Sequence, residues 1–355
     1  MRRDLFSTVS LGTLKLRNRI IMAPLTRCRA GEGDVPSASA PLYYAQRASA
    51  GLIVSEATQV NSMGIGYLNT PGIYTQAQIA GWKKVTDAVH ARGGLIFLQL
   101  WHVGARSHPD FHGGKLPVAP SAVDPQFDIL TPQGMKKSVA PRALERNEIP
   151  QLVEDFRQGA KNAMQAGFDG VEIHGANGYL PNQFLHESYN QRTDDYGGSI
   201  DNRCRFLLQI TRAVCDAVGS DRVGVRISPW IKLAGKIMQT AEETFEYLSG
   251  ELDELEIAYL HLLEPLGGQP AGTKAIGPAL RQAFMGPIMV NGGYTFETGN
   301  RAIASGLADM VSFGTLFISN PDLPARFKQG APLTPADKAT YYTGGDKGYT
   351  DYPSL

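Results

Sequence analysis

Between Gly170 and Arg203 the chain reads GVEIHGANGYLPNQFLHESYNQRTDDYGGSIDNR, and the start of this stretch carries the groups that could do chemistry. Val171 and Ile173, behind a turn glycine, predict a short buried strand, and His174 falls where that strand ends. Asn177 and Tyr179 follow, so an imidazole, an amide and a phenol leave one strand end together. Two neutral N–H donors side by side can hold a carbonyl or nitro oxygen and stabilise the negative charge that grows on it. A phenol beside them can deliver a proton. The trio therefore suits addition to an activated C=C or N=O, provided a fold turns all three inward. In isolation the same pattern describes a core histidine and a packed tyrosine equally well, so the surrounding elements decide.

Those elements are regular. Eight apolar runs follow one another: RIIMAPL from Arg19, GLIVSEATQV from Gly51, LIFLQLWHV from Leu95, GVEIHGA from Gly170, VGVRISP from Val223, AYLHLLEP from Ala258, PIMVNGGY from Pro287 and MVSFGTLF from Met310. Most are separated by amphipathic helical stretches such as AQIAGWKKVTDAVHARGG and IPQLVEDFRQGAKNAMQAG. Eight βα units in succession predict an α/β fold of the (β/α)8 TIM-barrel kind, as a single domain over residues 1–355. An open dinucleotide-binding sheet would want GxGxxG after its first strand, and MAPLTRCRAG is not one. Leu5 to Leu16 predicts a small N-terminal hairpin ahead of the main fold, acting as a plug. The Pro-, Gly- and Ser-rich excursion from Trp101 to Glu148, after strand three, predicts a functional cover with its own hairpin.

Lys plus Arg and Asp plus Glu each total 34, which excludes a strong field for nucleic acid or an anionic membrane and leaves a small-molecule partner. Cys28, Cys204 and Cys215 form no CxxC, so neither a disulfide framework nor an iron–sulfur cluster is expected. The opening MRRDLFSTVSLG lacks an apolar core, and no run approaches the ~18 apolar residues of a membrane span, so a cytoplasmic location is expected.

The motifs RNRIIMAPLTRCRA, SEATQ, GYLNTPGIYTQAQIAGWKKV, LQLWHVGARSH, PRALERNEIP, GVRISP, FGTLFISNPDLPARF and GYTDYPSL, with the His174 stretch among them, run nearly end to end in order. By these the chain resembles the old yellow enzyme family of FMN-dependent ene-reductases, and within it the bacterial pentaerythritol tetranitrate, morphinone and N-ethylmaleimide reductases. The resemblance implies that His174 and Asn177 are the donor pair and Tyr179 the proton donor. It implies that Pro24, Leu25 and Thr26 meet the flavin at the end of strand one, with the Thr26 hydroxyl near flavin O4, and that Ala57 lets the ring pack close. Gln99, otherwise an unexplained polar group in a buried strand, would read the flavin pyrimidine edge. Arg226 would meet the N1–C2=O side, which answers why an arginine sits in an apolar strand where an unpaired charge costs several kcal/mol. Asn291, Gly292 and Gly293 after strand seven, and Phe313, Gly314 and Thr315 after strand eight, fall where barrels bind phosphate through backbone N–H groups. Tyr67, Trp101 and Tyr349 match aromatics that line the pocket above the flavin.

The chain departs from its relatives at one of these positions. Where the family commonly reads FGR or FGK, this sequence has Phe313, Gly314, Thr315, so the cation that helps hold the phosphate is missing, and Lys274 is the candidate to replace it. His102, His108 and His112 lie close together but lack helical HExxH spacing and accompanying carboxylates or thiols, so no metal is expected. Strand six has no lysine for a Schiff base.

The reading that follows is an NAD(P)H-dependent FMN oxidoreductase of the NADPH dehydrogenase type, using NADPH or NADH to reduce the C=C of α,β-unsaturated carbonyl or nitro compounds by ping-pong hydride transfer through flavin N5. Its partners would be enones, nitro compounds and nicotinamide, with no nucleic acid and no membrane, as a monomer or homodimer. The alternatives are an iron–sulfur dienoyl reductase, against which the missing cysteine cluster counts, a flavin-binding protein without turnover, and a phosphate-handling barrel without flavin.

Overall fold

The structure, a computed structural model, describes residues 3–266 and 275–355. Eight parallel strands close into a barrel: β1 (Ile20–Met22), β2 (Leu52–Gln59), β3 (Ile96–Trp101), β4 (Gly170–Gly175), β5 (Val223–Ile227), β6 (Tyr259–Leu263), β7 (Ile288–Asn291) and β8 (Met310–Phe313). Each pairs with its sequence neighbours and β8 closes on β1, with Val311 opposite Ile20. The (β/α)8 expectation is met strand for strand, although β1 ends at Met22, so Pro24 stands just beyond it.

Alternation along the strands sorts side chains into two environments. Val171, Ile173, Val223, Val225, Leu260 and Leu262 pack outward against the helices. The intervening residues fill the barrel in layers. At its N-terminal end Ile21, Val54, Phe97, Tyr259, Met289 and Met310 form an apolar floor, and Leu11 and Leu16 of the hairpin Val9–Leu11/Leu14–Leu16 pack beneath it, so the expected plug is present. The floor is tight: a Cβ on Gly224 would lie 2.2 Å from the Tyr259 ring, so only glycine fits there. Above it comes a polar layer of Gln99, Glu172, His261 and Ser312, all buried, and above that His174, Arg226 and Asn291.

The helices form where the sequence periodicity places them. The helix Gln76–His90 starts at a capping box, with the Thr75 hydroxyl accepting from Gln78 N–H at 3.3 Å. In the helix Ile149–Gln165, Leu152, Phe156, Ala160 and Ala163 recur at helical spacing and are buried. The excursion after β3 holds the expected hairpin, Asp128–Thr131 with Gly134–Lys137. A second small ribbon after β5, Lys232–Leu233 with Lys236–Ile237, was not expected from the sequence. Among the described residues no helix is long and apolar enough to cross a membrane.

Candidate active site

A cavity of ≈ 670 Å³ opens at the C-terminal end of the barrel, where such folds carry their sites. The ends of β1, β5, β7 and β8 all reach it: Pro24 and Leu25, then Arg226, then Asn291, Gly292 and Gly293, then Phe313, Gly314 and Thr315. Asn177 joins them from the turn after β4. Thr26 follows Leu25, half-buried and just outside this lining.

The turn after β4 is held by its own sequence. Asn177 has φ 61° and Gly178 φ 75°, two consecutive left-handed residues that fold the chain back over His174. The next helix, Leu180–Leu185, fixes them. Asn182 Oδ1 accepts from Gly178 N–H at 2.8 Å, and Gln183 Nε2 donates to the Gly178 and Val103 carbonyls at 2.8 and 3.0 Å. Ser228, just past β5, accepts from Asn177 N–H at 2.8 Å. These supports went unread in the sequence, because nothing local distinguishes a turn-locking Asn or Gln from a surface one.

Within this frame two of the three chemical groups meet, while Asn177 stands at the cavity. The His174 and Tyr179 rings lie 4.8 Å apart, edge to face. Tyr179 donates to the Tyr67 hydroxyl at 3.2 Å, and Trp101 stacks on Tyr67 at 5.4 Å, with Ala57 and Val103 completing the apolar cluster. Burial, and then the Arg226 charge, hold the His174 imidazole well below its ordinary pKa, so it is neutral. Burial, and then Tyr67, push the Tyr179 phenol well above its usual range, so it keeps its proton; Arg106, 5.8 Å from the ring centroid, pulls the other way.

Several buried polar atoms here have no partner: His174 Nδ1, Asn177 Oδ1, Arg226 Nε, Trp101 Nε1 and Trp230 Nε1. Unsatisfied buried groups are costly, and their concentration around one cavity fits a polar, partly anionic guest. Arg226 donates only to Asn291 Oδ1, at 3.1 Å, and is the one cation among the described residues lining the cavity. At the other end, a Cβ on Gly292 would lie 2.7 Å from the Glu264 carbonyl, so the glycine there leaves a bare backbone edge. The donor set fits a phosphate-bearing flavin, with one cation and a bare glycine backbone on the cavity wall; Gln99 lies buried beneath the cavity, its amide donating to Glu172 at 2.8 Å. No second cation lines this cavity among the described residues; Arg326 shares an adjoining cavity with Thr315, its guanidinium bonded to Asp322 and to the Pro332 and Pro353 carbonyls, and Lys274 lies outside the described residues.

One aromatic is corrected. Tyr349 does not reach this cavity: it is buried under the C-terminal tail, stacked on Tyr43 at 4.0 Å, with the guanidinium groups of Arg27 and Arg29 at 5.3 and 4.7 Å. The tail tyrosine lining the cavity is Tyr342, 61% exposed. Both tyrosines lie in one irregular tail, and only the path of the chain says which turns inward. Trp230 and Ile231, past the end of β5, were also unforeseen.

The clustered histidines are engaged separately. His102 Nδ1 accepts from Gly104 N–H at 3.1 Å, His108 Nδ1 from Asp110 N–H at 3.2 Å, and His112 Nε2 lies 2.8 Å from Ser107 Oγ. Among the described residues no group of three potential metal ligands is gathered.

Comparison with known proteins agrees with this geometry. Residues 4–334 match the NADH:flavin oxidoreductase / NADH oxidase family, whose flavin is FMN. 12-Oxophytodienoate reductase 1 of Oryza sativa subsp. japonica is 46% identical over 360 residues, covering 99% of this chain and 93% of the relative. Morphinone reductase, solved in complex with tetrahydroNAD, superposes with a TM-score of 0.94 at 48% identity, covering 99% of this chain and 98% of that one. The old yellow enzyme homologue from Zymomonas mobilis gives 0.96 at 44% identity, covering 99% and 100%. With a closed eight-stranded barrel and a donor-lined cavity at its C-terminal mouth, the chain belongs to the NADH:flavin oxidoreductase / NADH oxidase family, as a member of its old yellow enzyme group.

Proposed function

We propose that this protein is an NAD(P)H-dependent ene-reductase that reduces the activated C=C of α,β-unsaturated carbonyl or nitro compounds. The observation that carries the reading is the edge-to-face approach of a neutral imidazole and a protonated phenol past the end of β4, beside the cavity that Asn177 and Arg226 line. FMN bound here would supply the chemistry of hydride transfer between nicotinamide and acceptor, through N5 and in ping-pong order.

The protein groups divide the remaining work. Gln99 and Arg226 would hold the pyrimidine side of the ring, and Arg226 would counter the negative charge of the reduced ring. Thr26 would offer a hydroxyl to the O4 edge, and Ala57 would leave room for the ring. Gly292, Gly293, Gly314 and Thr315 would hold the phosphate. His174 and Asn177 bind the acceptor oxygen and stabilise the charge that moves onto it. A neutral His174 is the form this requires, because its N–H donates without contributing a cation that would compete with Arg226. Tyr179, kept protonated by burial, gives its proton to the α carbon, on the face opposite the arriving hydride. Tyr67, Trp101 and Tyr342 bound the space in which the acceptor lies.

Stopped-flow measurement of the two half-reactions tests the assignment. Tyr179→Phe is expected to slow acceptor reduction by about 10²- to 10⁴-fold, the usual worth of general-acid catalysis, while leaving flavin reduction by NADPH nearly unchanged. Equal slowing of both halves would remove Tyr179 from the proton-donor role. His174→Ala and Asn177→Ala should each weaken phenolate binding over the flavin by about 1.5–3 kcal/mol, read from titration of the charge-transfer band. Unaltered affinity in both would remove the donor pair.

A further inference from the structure

Beneath the cavity, six residues on six different strands form one unbroken chain of hydrogen bonds. Gln99 Nε2 on β3 donates to Glu172 Oε1 on β4 at 2.8 Å. Glu172 Oε2 lies 2.8 Å from His261 Nδ1 on β6, and His261 Nε2 lies 2.8 Å from Ser312 Oγ on β8. The Ser312 carbonyl accepts from Asn291 Nδ2 on β7 at 2.8 Å, and Asn291 Oδ1 accepts from Arg226 Nη2 on β5 at 3.1 Å. Tyr259 adds a third donor to the carboxylate, its hydroxyl 3.0 Å from Glu172 Oε2. Glu172 and His261 have no exposed surface. The chain starts and ends on the two residues, Gln99 and Arg226, that face the flavin ring in the proposed function, and its one formal negative charge, Glu172, sits next to the Gln99 end.

The donor directions follow from that charge. An ionised carboxylate only accepts, so the Gln99 amide must turn its NH2 down and its carbonyl oxygen away from Glu172, leaving an acceptor free for the flavin N3–H. His261 must carry its proton on Nδ1, so its Nε2 accepts from the Ser312 hydroxyl. The same charge partly offsets the buried Arg226 cation.

We propose that Glu172 is a positioning residue for the flavin: it fixes the Gln99 amide with its oxygen toward the ring and, by countering Arg226, sets how readily the ring accepts electrons. The inference rests on Gln99 and Arg226 meeting the flavin as described above. The potential and the tautomer can be read without ene-reductase activity or the identity of the acceptor.

The test is the midpoint potential of the purified holoenzyme of wild type, Glu172→Gln and Glu172→Asp, measured against a redox dye. Glu172→Gln keeps the volume and removes the charge. It should shift the dye equilibrium toward reduced flavin at least tenfold, about 30 mV for a two-electron couple. Flavin reduction by NADPH should quicken and reoxidation by an enone should slow. Glu172→Asp keeps the charge and loses reach, so its shift should be under threefold. An unchanged potential in Glu172→Gln, with both half-reactions slowed together or only the Tm lowered, would make Glu172 purely structural and overturn the proposal. If neither variant folds, imidazole 15N shifts in the flavin-free wild type decide: His261 as the neutral Nδ1–H tautomer supports an ionised Glu172, and the Nε2–H tautomer overturns it. Wild type that holds flavin but reduces no enone would defeat the proposed function alone, since the potential and the tautomer can still be read.

Discussion

Two glutamates lie buried on barrel strands, and their surroundings drive them in opposite directions. Burial alone would raise Glu172, yet the His261 contact, the Arg226 charge and the Gln99 bond together hold it below the ordinary carboxylate value. Glu56, on β2 and 5% exposed, is pushed up to about 7 by the same burial. The difference is the quality of the donors. Glu172 receives three at 2.8 to 3.0 Å from side chains on two strands. Glu56 receives the Tyr44 hydroxyl at 3.2 Å and Arg27 N–H at 3.3 Å. The guanidinium of Arg27 is spent elsewhere, on the Gly348 and Tyr341 carbonyls of the C-terminal tail at 2.7 and 3.0 Å. Depth in the protein thus does not fix the charge of a carboxyl; the number and length of its bonds do.

The largest effect expected from this contrast is on stability. His261→Leu leaves a fully buried charge short of a donor and should cost about 3–5 kcal/mol, whereas Tyr44→Phe, beside the weakly bonded Glu56, should cost about 1 kcal/mol. Denaturant unfolding of both variants compares them directly, and equal losses would erase the distinction.

A smaller effect appears with pH. The pKa of Glu56 rises on folding from 4.5 to about 7. The native state therefore keeps a proton that the unfolded chain has already lost. Its contribution is full below the unfolded value and is lost as pH rises through about 7. Each tenfold change in proton affinity is worth roughly 1.4 kcal/mol, so the contribution reaches about 3 kcal/mol at most. Glu56→Gln should remove this slope and make the protein more stable than wild type at pH 8. A wild-type stability that rises between pH 5 and 7 through this residue would contradict the assignment. Glu172 acts with the opposite sign, since its depressed pKa gives stability that is lost as pH falls through the folded value.

The smallest effect carries the same counting of donors to the Gly314–Thr315 end of the cavity, the proposed phosphate site, where no cation lines the wall among the described residues. Thr315→Arg should tighten FMN by about 1 kcal/mol, because a charge-assisted bond is roughly twice as strong as a neutral one and solvent screens part of the gain. Flavin fluorescence during release reads this. A variant binding FMN no better would mean that the site is complete with Thr315.

Much of this arrangement was legible in the amino-acid order, because it is written locally. Each barrel strand is a short apolar run, and the chemical trio leaves one strand end within a few residues. Arg226 stands out as a charge in an apolar strand. What was not legible depends on register between strands distant in sequence. Glu172 sits two residues before His174, on the same inward face, yet its worth comes from Gln99, Tyr259 and His261. The alternation in AYLHLLEP, with Tyr259 and His261 on one face, was the available signal, and it reads as a polar interior only once the barrel closes. The exchange of Tyr349 for Tyr342 has a similar origin: the tail has no periodicity to orient it, and its path is set by Arg27 and Arg29 binding tail carbonyls.

The contact between Gly224 and Tyr259 limits how such an enzyme can be reshaped. A single methyl at Gly224 would displace the Tyr259 ring, and the hydroxyl on that ring holds Glu172. Steric change at the base of the barrel is thus transmitted to the polar layer above, and neighbouring interior positions cannot be varied independently. Tyr67, Trp230 and Tyr342 stand on segments beyond the strand ends, outside that coupling. A library aimed at new acceptors should therefore randomise those loop aromatics and keep the barrel interior constant, with functional variants recovered far more often from the loops than from positions around Gly224.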